Sequence, residues 1–502
     1  METKTFDFDT YRKQQDAFPE VTFEQFQNCS DAKVRDNIVS KNRILSTDTY
    51  NRTMNHIKWP IDGQKKETFT LSFRKTGEKA YNIAYGVKRI ITEILELPIT
   101  QVELDFAADA IAHQKEKWWL WLFDKAMWQK VIDEYGGYLP LDIKAADDGT
   151  LLKKWEPVMT VTWPSELCAH LEPRLLQICY ESVVAWDAHY LETMIWEWRI
   201  IEVWYRSARS ILDHINGVRA TYVWGWINKT SNDSAATSIE QDTWIGTIAH
   251  RYLAVRESET EAFEKAIEMT EQVSLLVDLV DSRKWIDKAM NLKKRYIKSS
   301  KIISLRLDSG DLTGQAIYAL QALKEADMLG NARQNQIIIE DIGCVNDMVD
   351  IDKAVEEAWF DPKKYIKYGL GWLLIATKKT RDSVSAGYKV TNTEDWATGK
   401  RSDDPGKEPI PWVPNVEVIE KEDGTIERNV VQEDEPVNWI RLLKTVYKDG
   451  ELFFGEANDN IALDNARAQV KKSEKWITPW KTQLSDETEG LKQQVREKLK
   501  AF

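Results

Sequence analysis

The spacing of apolar positions changes several times along the chain, and each change predicts a different element. Residues Glu67 to Arg74 alternate apolar and polar side chains, as a half-buried strand does, and Ala80 to Leu97 follow at helical spacing. Between Tyr138 and Thr162 two short strand-like runs flank the turn Asp147-Asp148-Gly149-Thr150, which predicts a small β-rich element. A long helical pattern runs from Leu171 to about Arg199. After it come short, largely apolar runs, several ending in small or polar residues and followed by a helical pattern. These are Val273 to Val280, ending in Asp281 and Ser282; Ile303 to Leu307; Gln336 to Ile342, leading to Val345-Asn346-Asp347; and Ile366 to Thr377. Strand, turn, helix, repeated, is the unit of a β/α barrel.

Five segments follow from this pattern. Residues 1–44 are charged and poorly periodic and form an N-terminal arm; residues 45–150 form a mixed α/β domain; residues 151–394 form the barrel. Residues 395–437 shift to charge, proline and turn residues and are expected to be a long surface connection or a lid. Residues 438–502 combine one hydrophobic helix with a charged terminus.

Charge and composition narrow the function. With 68 basic and 81 acidic residues the net charge is -13, so nothing global attracts nucleic acid or an anionic membrane, and any phosphate must be held by a local site. Cys29, Cys168, Cys179 and Cys344 lie far apart without CxxC spacing, which argues against a disulfide framework or a zinc site and for a reducing compartment. No apolar run is long enough to span a bilayer, and the polar N-terminus does not resemble a signal peptide, so a soluble, cytoplasmic protein is expected. The 22 tryptophans are many; those at 118, 119, 121, 128, 186, 196, 198 and 204 fall in helical patterns and are expected in the core or at a subunit contact.

The most concentrated chemistry lies where Ile303 to Leu307 gives way to Asp308-Ser309-Gly310-Asp311, before a helix from Ala316 to Met328. Pockets of α/β folds lie at the carboxyl ends of strands, where Arg306, two carboxylates and free amides would meet a ligand. The alternative is an ordinary strand-to-helix cap, with Asp311 or Ser309 satisfying helical amides and Arg306 pairing with Asp308. Gly246-Thr247-Ile248-Ala249-His250 puts an imidazole after a small-residue turn, although a lone histidine is more often structural. Gly369 and Gly371 can expose amides to a phosphate or simply make a tight turn. Tyr50 lies in the first turn of a capped helix, and Arg206 near a helix end is by itself a surface charge.

Four segments taken in order resemble the nicotinate phosphoribosyltransferase family, the type II phosphoribosyltransferases of pyridine nucleotide salvage. They are Ser46 to Met54 with its Thr-Asp-x-Tyr opening, Gly246 to His250, Arg306 to Leu312, and Asp403 to Lys407 with Asp-Pro-Gly-Lys. The resemblance implies an irregular α/β barrel plus an α/β domain assembled from the N-terminal segment and the C-terminal tail. It also implies a homodimer with shared active sites, Tyr50 being offered to the partner's barrel.

The implied reaction joins nicotinate to phosphoribosyl pyrophosphate, forming nicotinate mononucleotide and pyrophosphate, with ATP hydrolysis coupled through a phosphohistidine. In that scheme His250 is the nucleophile, Arg306 takes the nicotinate carboxylate, and Tyr50 stacks on the pyridine. Asp308, with Asp311, holds Mg2+ or ribose hydroxyls. Tyr205, Arg206, Gly246, Thr247, Asn346, Gly369 and Gly371 line the phosphoribosyl pocket. Three positions depart from the family pattern: Lys229 before Thr-Ser-Asn, Ser207 for a second Arg, and Trp372 after Gly371. The rivals are nicotinamide phosphoribosyltransferase and an inactive homologue kept as a binding subunit; Leu307 and Leu312, where the nicotinamide branch carries proline, favour nicotinate.

Overall fold

A computed structural model describes residues 7–76, 81–115, 122–195, 198–203, 205–225, 227–239, 248–256, 258–371, 373–375, 381–399, 407–423, 426–454, 459–475 and 483–500. The chain forms two compact units, one of Met1–Val183 with Lys379–Phe502 and one of Val184–Lys378.

The first unit is built on a six-stranded sheet. Lys66–Ser72, second from one edge, pairs antiparallel with the edge strand Gly387–Thr393 on one side and with Pro157–Pro164 on the other. Asp142–Ala145, Lys444–Lys448 and Glu451–Leu452 continue the sheet. Residues 151–183, grouped with the barrel on sequence pattern, therefore supply an inner strand of this sheet. Met159, Val161, Leu71, Tyr388 and Tyr447 are buried in its core.

Three local differences from the sequence pattern have physical causes. The expected helix over 80–97 is a strand, Tyr81–Ala84, and a helix, Val87–Leu95, separated by Gly86 at φ +89. The 1–44 arm holds three short capped helices, Phe8–Asp16, Phe23–Gln27 and Ala32–Ser40, each too brief to show a period. Phe18, Phe26 and Ile38 pack with Phe106 and Ala110. The 395–437 stretch is not only a connection, because Pro414–Glu420 and Ile426–Gln432 form an antiparallel pair at the centre of a four-stranded sheet. Val416, Val418, Ile426 and Val430 enter the core, and the fully buried Arg428 meets Glu156 at 2.5 Å.

The second unit holds five parallel strands: β1 Ile200–Glu202, β2 Gln272–Leu276, β3 Ile302–Leu307, β4 Ile337–Ile339 and β5 Ile366–Leu370. Their order is β1-β5-β4-β3-β2. The helices Ser282–Arg295, Leu312–Glu325 and Val345–Glu357 link the later strands, and Thr230 forms a parallel bridge to Glu202 beside β1. This is the wall of an irregular α/β barrel. Two strands stop earlier than their apolar runs suggest, β2 at Leu276 and β4 at Ile339, since Val280 is exposed and Asp281 already caps the next helix.

Among the described residues nine that are not glycine have positive φ, and five of these are Trp155, Trp163, Trp198, Trp359 and Trp412. Trp128 is buried as expected, whereas Trp198 is exposed. Trp118, Trp119, Trp121, Trp196 and Trp204 lie outside the described residues.

Candidate functional site

Side chains converge where β2, β3 and β4 end. Arg306 projects from the last turn of β3, and its Nη2 lies 3.1 Å from Asp308 Oδ1 and 2.9 Å from Glu340 Oε2. Asp308 directly follows β3, and Glu340 directly follows β4. His250 opens the short helix His250–Ala254. Its Nε2 is 3.2 Å from Asp278 Oδ1 and its Nδ1 is 3.9 Å from Asp308 Oδ2. Asp278 lies just beyond β2 and accepts the Ser309 hydroxyl at 2.6 Å. The turn after Asp308 is held by Gly310 at φ +83 and by Gln315 Nε2, which donates to the Ser309 carbonyl at 2.9 Å.

The electrostatics are unequal. Two carboxylates face one guanidinium, and burial pushes Glu340 up to about 7 against the pull of Arg306, with Asp308 adding to the rise. The Asp278 side chain is 2% exposed and that of His250 46%, so the imidazole has one sealed neighbour and one open side. Asp278 Oδ1 and Arg306 Nε are buried and have no hydrogen-bond partner. His250, Asp278 and Asp308 each bring one ligand atom within 4.8 Å of the others, a donor set of oxygen and nitrogen that suits a divalent cation.

The structure thus brings together Arg306, Asp308 and His250 and adds Asp278 and Glu340. The signal for the added pair was the first acidic residue after each apolar run, and misplaced strand ends hid it. Other candidates differ from expectation. Asp311 caps the Leu312–Glu325 helix, its Oδ1 accepting Gly314 N–H at 2.9 Å, and stands outside the three-residue ligand cluster. Gly369 is not in a turn; it is paired with Ile201 inside β5, where a Cβ would come within 2.6 Å of Glu340 Cγ. Its use is room for Glu340. Gly371 follows β5 and Asn346 is exposed in the first turn of Val345–Glu357.

Tyr205 and Arg206 are exposed in a short 3-10 turn, where Tyr205 packs edge-on at 5.3 Å against His214, which is buried against Glu202. Tyr50, in the first unit, is exposed and donates its hydroxyl to Glu172 at 2.7 Å. Gly246, Thr247, Trp372 and Asp403 to Gly406 lie outside the described residues.

The barrel wall and its acidic rim define a type II phosphoribosyltransferase fold. Two solved structures share it: nicotinate-nucleotide pyrophosphorylase from Pyrococcus furiosus (TM-score 0.64, 14% identity, 87% of this chain and 97% of that one) and human nicotinic acid phosphoribosyltransferase (0.63, 16%, 89% and 99%). No family model matches the sequence. Nicotinate phosphoribosyltransferase of Bacillus subtilis is 27% identical over 287 residues, 56% of this chain and 55% of that one. The matched region spans about half the length of the curated relatives. Those relatives are what the sequence resembles over that half, and the two solved structures share its fold.

Proposed function

We propose that the chain transfers the phosphoribosyl group of phosphoribosyl pyrophosphate to a pyridine base, with nicotinate the substrate its relatives indicate. The observation that carries this reading is the meeting of Arg306, Asp308 and His250 on one rim of parallel strands. As the bond from C1 to pyrophosphate breaks, positive charge grows on the ribose and negative charge on the leaving oxygens. Asp308, open on the rim, faces the ribose hydroxyls. Asp308, with Asp278, would hold Mg2+, which when bound neutralises the leaving group.

We further propose ATP coupling through His250, as the sequence resemblance implies. In this reading the γ-phosphoryl group moves from ATP to an imidazole nitrogen of His250, ADP leaves, and water later releases phosphate. The Asp278 carboxylate, 3.2 Å from Nε2 though outside hydrogen-bond geometry, electrostatically favours the proton on that nitrogen in this reading, which leaves the lone pair of Nδ1 to attack. A homodimer is part of the same proposal. Tyr50, Met54, Ile57 and Ile61 are exposed and spaced about one helical turn apart along and just beyond Thr49–Lys58, an apolar stripe suited to a second copy.

Incubating purified protein with phosphoribosyl pyrophosphate and either nicotinate or nicotinamide, with and without ATP, tests the whole reading. Nicotinate mononucleotide, formed faster with ATP, is the expected product; no mononucleotide from either base removes the reading and leaves a binding subunit.

A further inference from the structure

Arg306 is the group expected to clamp the nicotinate carboxylate, yet its guanidinium is already engaged. A guanidinium offers two forks for bidentate pairing, Nε with Nη2 and Nη1 with Nη2, and both need Nη2. Here Nη2 carries both Asp308 Oδ1 at 3.1 Å and Glu340 Oε2 at 2.9 Å. Its two hydrogens are thereby used. What remains is Nε, buried without a partner, and Nη1, which reaches only the Ile248 carbonyl at 3.5 Å. An incoming carboxylate finds no complete fork, and it approaches two carboxylates that outnumber the single cation. A neutral carboxamide meets neither obstacle, because its N–H can donate to Glu340 while its carbonyl accepts from Nη1. The arrangement is built in, since Gly369 leaves the space through which the Glu340 side chain passes.

We infer that Glu340 is a selectivity residue, narrowing without reversing the preference for an anionic pyridine over a neutral one bearing an N–H donor that Arg306 alone would give; this rests on the phosphoribosyl-transfer reading above. The test compares kcat/KM for nicotinate and nicotinamide in wild type, Glu340→Ala, Glu340→Gln and Gly369→Ala. Glu340→Ala frees a fork and removes a charge, so the nicotinate-to-nicotinamide ratio rises by about tenfold or more, and less in Glu340→Gln, which keeps an acceptor on Nη2. Gly369→Ala, which forces Glu340 aside, moves the ratio the same way. A ratio unchanged or lowered in folded variants overturns the inference. Should wild type form no mononucleotide from either base, the reaction reading fails by itself, and calorimetric binding of the two bases to wild type and Glu340→Ala then decides selectivity in the same terms.

A second inference rests on backbone geometry elsewhere. Positive φ costs most side chains energy, and apart from glycine it is tolerated chiefly by short polar residues that bond locally. Asp327, Asp341, Asp449 and Ser385 fit that rule, and Trp155, Trp163, Trp198, Trp359 and Trp412 do not. Trp359, at φ +66, is 92% exposed, so no burial offsets its strain. The chain has as many tryptophans as glycines, 22 of each.

We infer that the natural polypeptide carries glycine at these five positions. A UGA codon read as glycine, where tryptophan is written, would produce this one-way exchange. Peptide mass spectrometry of the protein from its native host is expected to find glycine at 359 and 412 and tryptophan at the buried, helical position 128. Tryptophan at 359 and 412 overturns the inference. In recombinant protein Trp359→Gly raises Tm, and a fall in Tm removes the backbone argument.

Discussion

His250 stands between two carboxylates that differ in access, the sealed Asp278 and the more open Asp308. In the proposed phosphoryl transfer that asymmetry biases which imidazole nitrogen is free, so Asp278→Asn should slow transfer of radiolabelled γ-phosphate from ATP to the protein by about tenfold or more. His250→Ala should abolish the label; equal labelling of wild type and Asp278→Asn removes the orienting role. Arg306, Asp308 and His250 were legible in the sequence because each sits in a run of several matching residues. Asp278 and Glu340 were not, since a strand end misplaced by a few residues moves the rim away from the side chain that occupies it. Nor does sequence reveal that Gly369 serves a side chain from the neighbouring strand instead of an anion.

The strand-to-helix connections show how one acidic residue can be mistaken for another. Asp308 and Asp311 are three positions apart, yet one faces the rim and the other spends its oxygen on a helix amide. Asp311→Ala is expected to lower stability by about 1 kcal/mol in denaturant titration, with KM for phosphoribosyl pyrophosphate unchanged. In the first unit the hairpin of Pro414–Glu420 and Ile426–Gln432 is anchored by Arg428, whose Nη1 donates to Leu151 O at 2.7 Å and whose Nη2 pairs with Glu156. Arg428→Leu strands a buried carboxylate and should cost about 3 to 5 kcal/mol, measured the same way. The parallel strands were readable because they are largely apolar runs bounded by turns. The hairpin was not, because its alternating valines are embedded among the charges and prolines that surround it.

Acid sensitivity is a property of the whole molecule to which single buried groups contribute. His170 is enclosed, edge-on to Trp128 at 4.7 Å, and burial depresses its pKa from 6.5 to about 4. The unfolded chain therefore takes up this proton first as pH falls, so the His170 contribution is present above 6.5 and is lost progressively toward about 4. His170→Gln should flatten the dependence of unfolding free energy on pH across that window. Association belongs to the same scale: in the proposed homodimer Ile57→Asp, placed in the exposed stripe, should shift sedimentation from dimer to monomer, and wild type sedimenting as a monomer removes that proposal.

The first unit is discontinuous, and the second is encoded as one uninterrupted stretch between its halves. Lys66–Ser72 is made early, but its neighbour Gly387–Thr393 leaves the ribosome only after the whole inserted unit has been synthesised. Until then a nascent chain holds one bare edge of that strand, with its amides and carbonyls ready to pair with any other polypeptide. A message cut short near residue 380 should accordingly yield aggregate where the full message yields dispersed protein, with chaperone occupancy during elongation marking the interval.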